Sequence, residues 1–253
     1  MTTPPKPPCT AALALIVVAA ACKPAATGTD GGDAPVGRNA TGTRARVTLT
    51  AEGARVQGTL AQDGNAIEGA RVEVLDAPAS ATVTGAGGDW SLAVPAGQPA
   101  FVRVSKASFR TVQSGVSVAG AGAMRLPLEM VPAALLDRIF HGLGLAESAS
   151  AGVVAVRFNL PDRLVNSRTR PAGFGATLSA GGGTAAVMGN GQPARGSRTI
   201  GGEEMVLVLN VAPGTTTVAA QAAEGFTCAP TAGVLTTVRV DPQVITFVSF
   251  DCR

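Results

Sequence analysis

The strongest constraint on what this chain can fold into is a period of two. Ala70, Val72 and Val74 alternate with Arg71 and Glu73, and Trp90, Leu92 and Val94 follow a Gly87, Gly88, Asp89 turn. Val102 and Val104 flank Arg103, and Met124, Leu126, Leu128 and Met130 alternate with Arg125, Pro127 and Glu129. Val47 and Leu49 open the series, next to Thr48 and Thr50. Successive side chains of a strand point to opposite faces, so each segment offers one face to a core and one to water. An amphipathic helix would need apolar residues three and four apart instead. With 32 Gly and 17 Pro in 253 residues, turns punctuate these segments, and short antiparallel strands at that spacing stack as sandwiches.

The core that such strands build here is aliphatic. Aromatic residues are 4% of the chain, with one Trp and no Tyr, which also weighs against a sugar-stacking platform. Trp90, in register with Leu92 and Val94, reads as core. One helix breaks the strand pattern. Pro132 suits a first helical position, Leu135, Leu136, Ile139, Phe140 and Leu143 form one stripe, and Gly142 and Gly144 end it. The segment 132–149 is expected to pack between two sandwiches as a connector.

The second half echoes the first. Gly69, Ala70, Arg71, Val72 returns as Gly175, Ala176, Thr177, Leu178, and Val94, Pro95, Ala96, Gly97 as Val211, Ala212, Pro213, Gly214. Phe109 and Phe226 each follow their turn glycine by twelve residues. The stretch before that glycine is about eleven residues longer in the second copy, and the excess falls in the glycine-rich segment Gly181 to Gly202, which also holds Arg195 and Arg198. Long loops on rigid sandwiches concentrate binding residues, and a hairpin insertion is the other reading. Residues 43–131 are then one sandwich and 150–253 a second, diverged one.

Val56 to Gly58, Glu68 to Val74, Thr84 to Leu92, Val94 to Gly97 and Val102 to Val104 together resemble the carboxypeptidase regulatory-like domain. The likeness covers roughly residues 45–130 well and 150–253 loosely. It implies a transthyretin-like β-sandwich and a non-catalytic structural or adhesive role, and it brings no shared catalytic residues.

Ahead of the strands, the apolar run Ala11 to Ala21 is about half the length needed to span hydrocarbon and reads as the core of a signal peptide, residues 1–21. Ala19, Ala20 and Ala21 precede Cys22, which resembles the lipobox of bacterial lipoproteins, where the cysteine carries diacylglycerol and becomes the mature N-terminus. Ala19 stands where that family has Leu. Ala19 and Ala21 also make an ordinary secretory cleavage site, which would leave Cys22 without lipid. Residues 22–42 have little to bury and read as a disordered tether with a root-mean-square reach of roughly 25 Å.

Of four cysteines, Cys9 leaves with the signal and Cys22 is the lipid acceptor. Cys228 and Cys252, 24 positions apart, remain as an even pair suited to a disulfide in an oxidising compartment, with two unpaired thiols as the alternative. No catalytic residues are assigned. His141 is the one histidine, and nucleophile-elbow, P-loop, zincin and calcium-loop patterns are absent from the sequence. Asp63, Gly64, Asn65 reads as a turn and Asp30, Gly31, Gly32, Asp33 as linker. No metal or cofactor is expected, and a net charge of +3 with scattered cations is no footprint for nucleic acid.

These features describe an all-β protein: two antiparallel transthyretin/immunoglobulin-like β-sandwiches joined by a short helix after a disordered N-terminal tether. The expected function is that of a non-enzymatic outer-membrane lipoprotein of the bacterial cell envelope, on its periplasmic face or at the cell surface. It would act as an adhesive, scaffolding or accessory binding module, with the membrane and an envelope protein or glycan as partners. A carbohydrate- or peptidoglycan-binding lipoprotein using residues 181–202 is the alternative.

Overall fold

The computed structural model describes residues 54–253 apart from 63–64, 76, 120–121, 127, 162–163, 165–170, 190 and 201–203. The signal segment, Cys22, the tether, Val47 to Thr50 and the Asp63–Gly64 turn lie outside the described residues. Strands dominate. The first half holds β1 (Arg55–Thr59), β2 (Ala61–Gln62), β3 (Asn65–Ala66), β4 (Arg71–Val74), β5 (Ala77–Val83), β6 (Asp89–Ala93), β7 (Pro99–Ser105), β8 (Thr111–Ser117) and β9 (Ala123–Arg125). After α1 (Ala133–Gly142) come β10 (Gly152–Asn159), β11 (Gly175–Leu178), β12 (Thr184–Gly189), β13 (Gln192–Arg195) and β14 (Met205–Val211). The chain continues with β15 (Gly214–Gln221), β16 (Cys228–Pro230), β17 (Thr237–Val240) and β18 (Val244–Cys252).

Both halves follow one strand plan. β1 pairs antiparallel with β6 and parallel with β9, and β10 likewise pairs antiparallel with β14 and parallel with β18. β7 lies between β4 and β8 as β15 lies between β11 and β17. The echoed turn glycines stand at matching corners, Gly97 (φ 68°) between β6 and β7 and Gly214 (φ 135°) opening β15 after β14. These angles are reached cheaply by glycine alone, which is why the echo survives in the turns. The copies part at the intervening segment. In the first, β5 stays with β4; in the second, the β12–β13 hairpin crosses to the other sheet and pairs with β14.

The halves meet edge to edge. β18 runs parallel to β10 over Ile245–Asp251 and parallel to β8 over Val244–Phe247. A single sheet therefore runs β13-β12-β14-β10-β18-β8-β7-β4-β5, with β16 also paired to β18. Ile245 and Phe247 enter one hydrophobic core while Val248, Phe250 and Cys252, on the opposite face, enter a second. β10 divides in the same way, Val153 and Ala155 against Val154, Val156 and Phe158. Strands covered on both faces read as unbroken apolar runs, not alternations.

The first core lies between the β6-β1-β9 sheet and the β5-β4-β7-β8 end of the large sheet, and Trp90, Leu92, Val72, Val102 and Val104 fill it. The second lies between β11-β15-β17 and β14-β10-β18. Leu126, Leu128 and Met130, then Leu136, Ile139, Phe140 and Leu143 from α1 and its end, join the first cluster. Pro132 caps the helix rather than starting it. In the chain α1 joins the two halves; in space β8 and β18 make the junction.

Candidate functional site

Buried polar chemistry concentrates at that junction. Gln113 on β8 is 0% exposed, and a buried amide needs partners. Its Oε1 accepts from Arg103 Nη2 (2.7 Å) and Nε (3.2 Å), and its Nε2 donates to the Arg239 carbonyl (2.8 Å) and to Thr246 Oγ1 (3.1 Å). The Thr246 hydroxyl donates in turn to the same carbonyl at 3.0 Å. Asp241 completes the set, with Oδ2 on Arg103 Nη2 (2.5 Å) and Oδ1 on Arg239 Nε (2.7 Å). On the opposite face Ser114 Oγ donates to the Phe247 carbonyl at 3.0 Å. Residues 103–114 of the first half are thereby tied to 239–247 of the second. Donors and acceptors are spent on each other, so this cluster fixes position rather than offering groups to a ligand.

A second cluster holds the connector. Arg110 Nη2 reaches Asp137 of α1 (2.7 Å) and Glu147 (2.6 Å), while its buried Nε has no partner among the described residues. Arg157 of β10 pairs with Glu129 at 2.6 Å. Asn210, at φ 55° in a β14 bulge opposite β10, accepts from Ser148 N–H (2.9 Å) and donates to the Ala146 carbonyl (2.9 Å). None of these residues stood out in the sequence, because each partner lies tens of residues away.

The segment Gly181 to Gly202 contains two strands, β12 and β13. β12 and β13 form a hairpin at the end of the large sheet, with Gly189 opposite Gln192. Gly191 follows at φ 75°, an angle that glycine reaches cheaply. Ala186 enters the first core and Val187 the second. Both cations singled out in the sequence bind backbone: Arg195 Nη2 donates to the Leu143 carbonyl (3.2 Å) and Arg198 Nη1 to the Gly173 carbonyl (2.6 Å). Pro193 in β13 withholds an N–H from the sheet's outer edge.

Cys228 and Cys252 are bonded and stand opposite each other on β16 and β18. Trp90 is 5% exposed, with its indole packed against the backbone of Gly58 and its Nε1 unpartnered among the described residues. His141 is exposed in the last turn of α1. No group of three His, Cys, Asp or Glu among the described residues is placed to hold a metal. No described helix is long and apolar enough to cross a membrane.

Two larger open clefts stand out among the described residues. One of about 400 Å³ beside the disulfide is lined by Asn159, Leu160, Pro230, Asp251 and Arg253. There Asp251 Oδ1 already accepts from Asn159 Nδ2 (2.8 Å) and Thr231 Oγ1 (2.7 Å). The other, about 220 Å³, lies at Gln57, Asp89, Trp90 and Arg125.

No protein-family model matches the chain, and no curated protein matches it. Solved structures superpose weakly. A type II cohesin–X-dockerin complex from Acetivibrio cellulolyticus matches at 21% identity over 31% of this chain and 57% of that chain, with a TM-score of 0.26. A streptococcal ancillary pilin matches at 14% identity over 80% and 63%, TM-score 0.25. GBS52, the minor pilin of Streptococcus agalactiae, matches at 9% identity over 78% and 94%, TM-score 0.26. The chain thus spans less than two thirds of the length of the first two. The class follows from the chain's own strand pairing: an all-β, β-sandwich protein that carries the short helix α1.

Proposed function

We propose that this chain is a non-enzymatic, lipid-anchored protein of the bacterial outer membrane that holds two fused, carboxypeptidase regulatory-like sandwiches away from the lipid as an adhesive or scaffolding module. The observation that carries this reading is the shared strand β18. It feeds both cores and, with the Arg103–Gln113–Asp241 cluster, makes the two sandwiches one stiff block. Stiffness of that kind suits presentation and load-bearing. The anchor rests on Cys22 behind the Ala11–Ala21 run, and the tether on residues 22–42.

The test is a Cys22→Ser variant in a bacterial host, followed by membrane flotation. Native protein floats with outer-membrane vesicles and the variant stays in the soluble envelope fraction. A variant that floats as well as native protein overturns the anchor. Crosslinking in intact cells then captures the protein or glycan partner of the anchored form, and a chain that crosslinks to nothing overturns the adhesive role.

A further inference from the structure

β18 is the strand whose loss dismantles both cores, and it ends at a covalent lock. Cys252 closes β18, Cys228 opens β16, and the loop between them has a sequence separation of 24. That loop contains all of β17 and every residue of β18 before Cys252. It also contains Arg239, Asp241, Thr246 and Phe247, the second-half members of the junction cluster.

We propose that the Cys228–Cys252 bond takes β18 out of the path of mechanical tension, so that a chain pulled between its N-terminal side and Arg253 cannot draw out the strand its two cores share. Tension favours an event in proportion to the length the event releases. In the oxidised chain the loaded backbone runs through Thr227 and Cys228, across the sulfurs to Cys252 and on to Arg253. Residues 229–251 lie off that line, and freeing them from β8 and β10 lengthens nothing. In a reduced chain the same pull acts on β18 itself, and each freed residue releases at most ~3.3–3.6 Å. The seven consecutive pairs with β10 and four with β8 are then loaded directly. The source of tension rests on the proposed anchor at Cys22; the shielding does not.

The experiment is single-molecule force spectroscopy on the full chain without lipid, so its failure leaves the anchoring question separate. Molecules are held at the N-terminus and either at the C-terminus or at exposed position 224, upstream of the lock, through an azide-bearing residue placed there. Each is pulled with and without reductant. Through the C-terminus, reduction adds about 80 Å to the fully extended chain, 24 residues at ~3.3–3.6 Å, and lowers the unfolding force. Through position 224 the fall in force is smaller. A force unchanged by reduction at the C-terminus overturns the proposal. So does a fall of equal or greater size at position 224, which would make the bond a general stabiliser.

Discussion

Phe247 belongs to the last strand of the chain, yet its ring sits in the first core, 7% exposed, in the same cluster as Trp90. Phe247→Ala removes that ring where the surrounding strands are pinned by backbone pairing on both sides, so the site collapses little. Truncation of a buried Phe to Ala costs about 3–5 kcal/mol. Trp90 is the one Trp in the sequence and lies on β6, so its fluorescence reports the first half alone. With a urea slope of roughly 2–3 kcal/mol/M for a chain of this size, the Trp90 midpoint falls by about 1–2.5 M. Far-UV circular dichroism on the same samples follows the strands of both halves and falls with it. A Trp90 midpoint that stays at the native value while the dichroism midpoint drops would refute the shared core, since the last strand would then serve the second half only.

Two further substitutions probe the same architecture. Gly58→Ala places a Cβ 2.6 Å from the Leu126 carbonyl oxygen and 2.8 Å from Trp90 Cζ2, which costs about 1–3 kcal/mol and shifts the Trp90 emission; unchanged emission and stability would show that the indole does not pack there. Gln113→Ala removes the amide from Arg103, which keeps Asp241, and from the Arg239 carbonyl and Thr246, which keep each other, so the loss expected in a urea titration is about 1–3 kcal/mol, that of one buried group left short. A loss below about 1 kcal/mol would mean that water replaces the amide and that the junction is wet.

What the sequence reveals depends on whether a strand keeps a wet face. β4, β6 and β7 do, and Val72, Trp90, Leu92, Val102 and Val104 lie buried at the alternating positions read from the sequence. The α1 stripe is legible for the same reason, with Leu136, Ile139, Phe140 and Leu143 all buried. β10 and β18 escape that reading because both faces are covered, and Val153 to Val156 and Val244 to Val248 show no period of two. The duplicated plan shows through Gly97 and Gly214, whose positive φ ties residue type to backbone shape. The cysteine pairing is one of two readings that the count leaves open, and the bond between Cys228 and Cys252 decides it. The junction is invisible to local pattern, since Gln113 and Thr246 are 133 positions apart and nothing near either names the other. The sheet switch by β12 and β13 depends likewise on which edge lies nearest in space.

The mass of the N-terminal peptide decides whether lipid holds this block to the membrane. Protein extracted from the producing cell's membranes, digested and analysed by mass spectrometry, is predicted to begin at Cys22 with a diacylglycerol thioether on its sulfur. A peptide that begins at an unmodified Cys22, or that retains residues 1–21, would mean that no lipid is attached at Cys22.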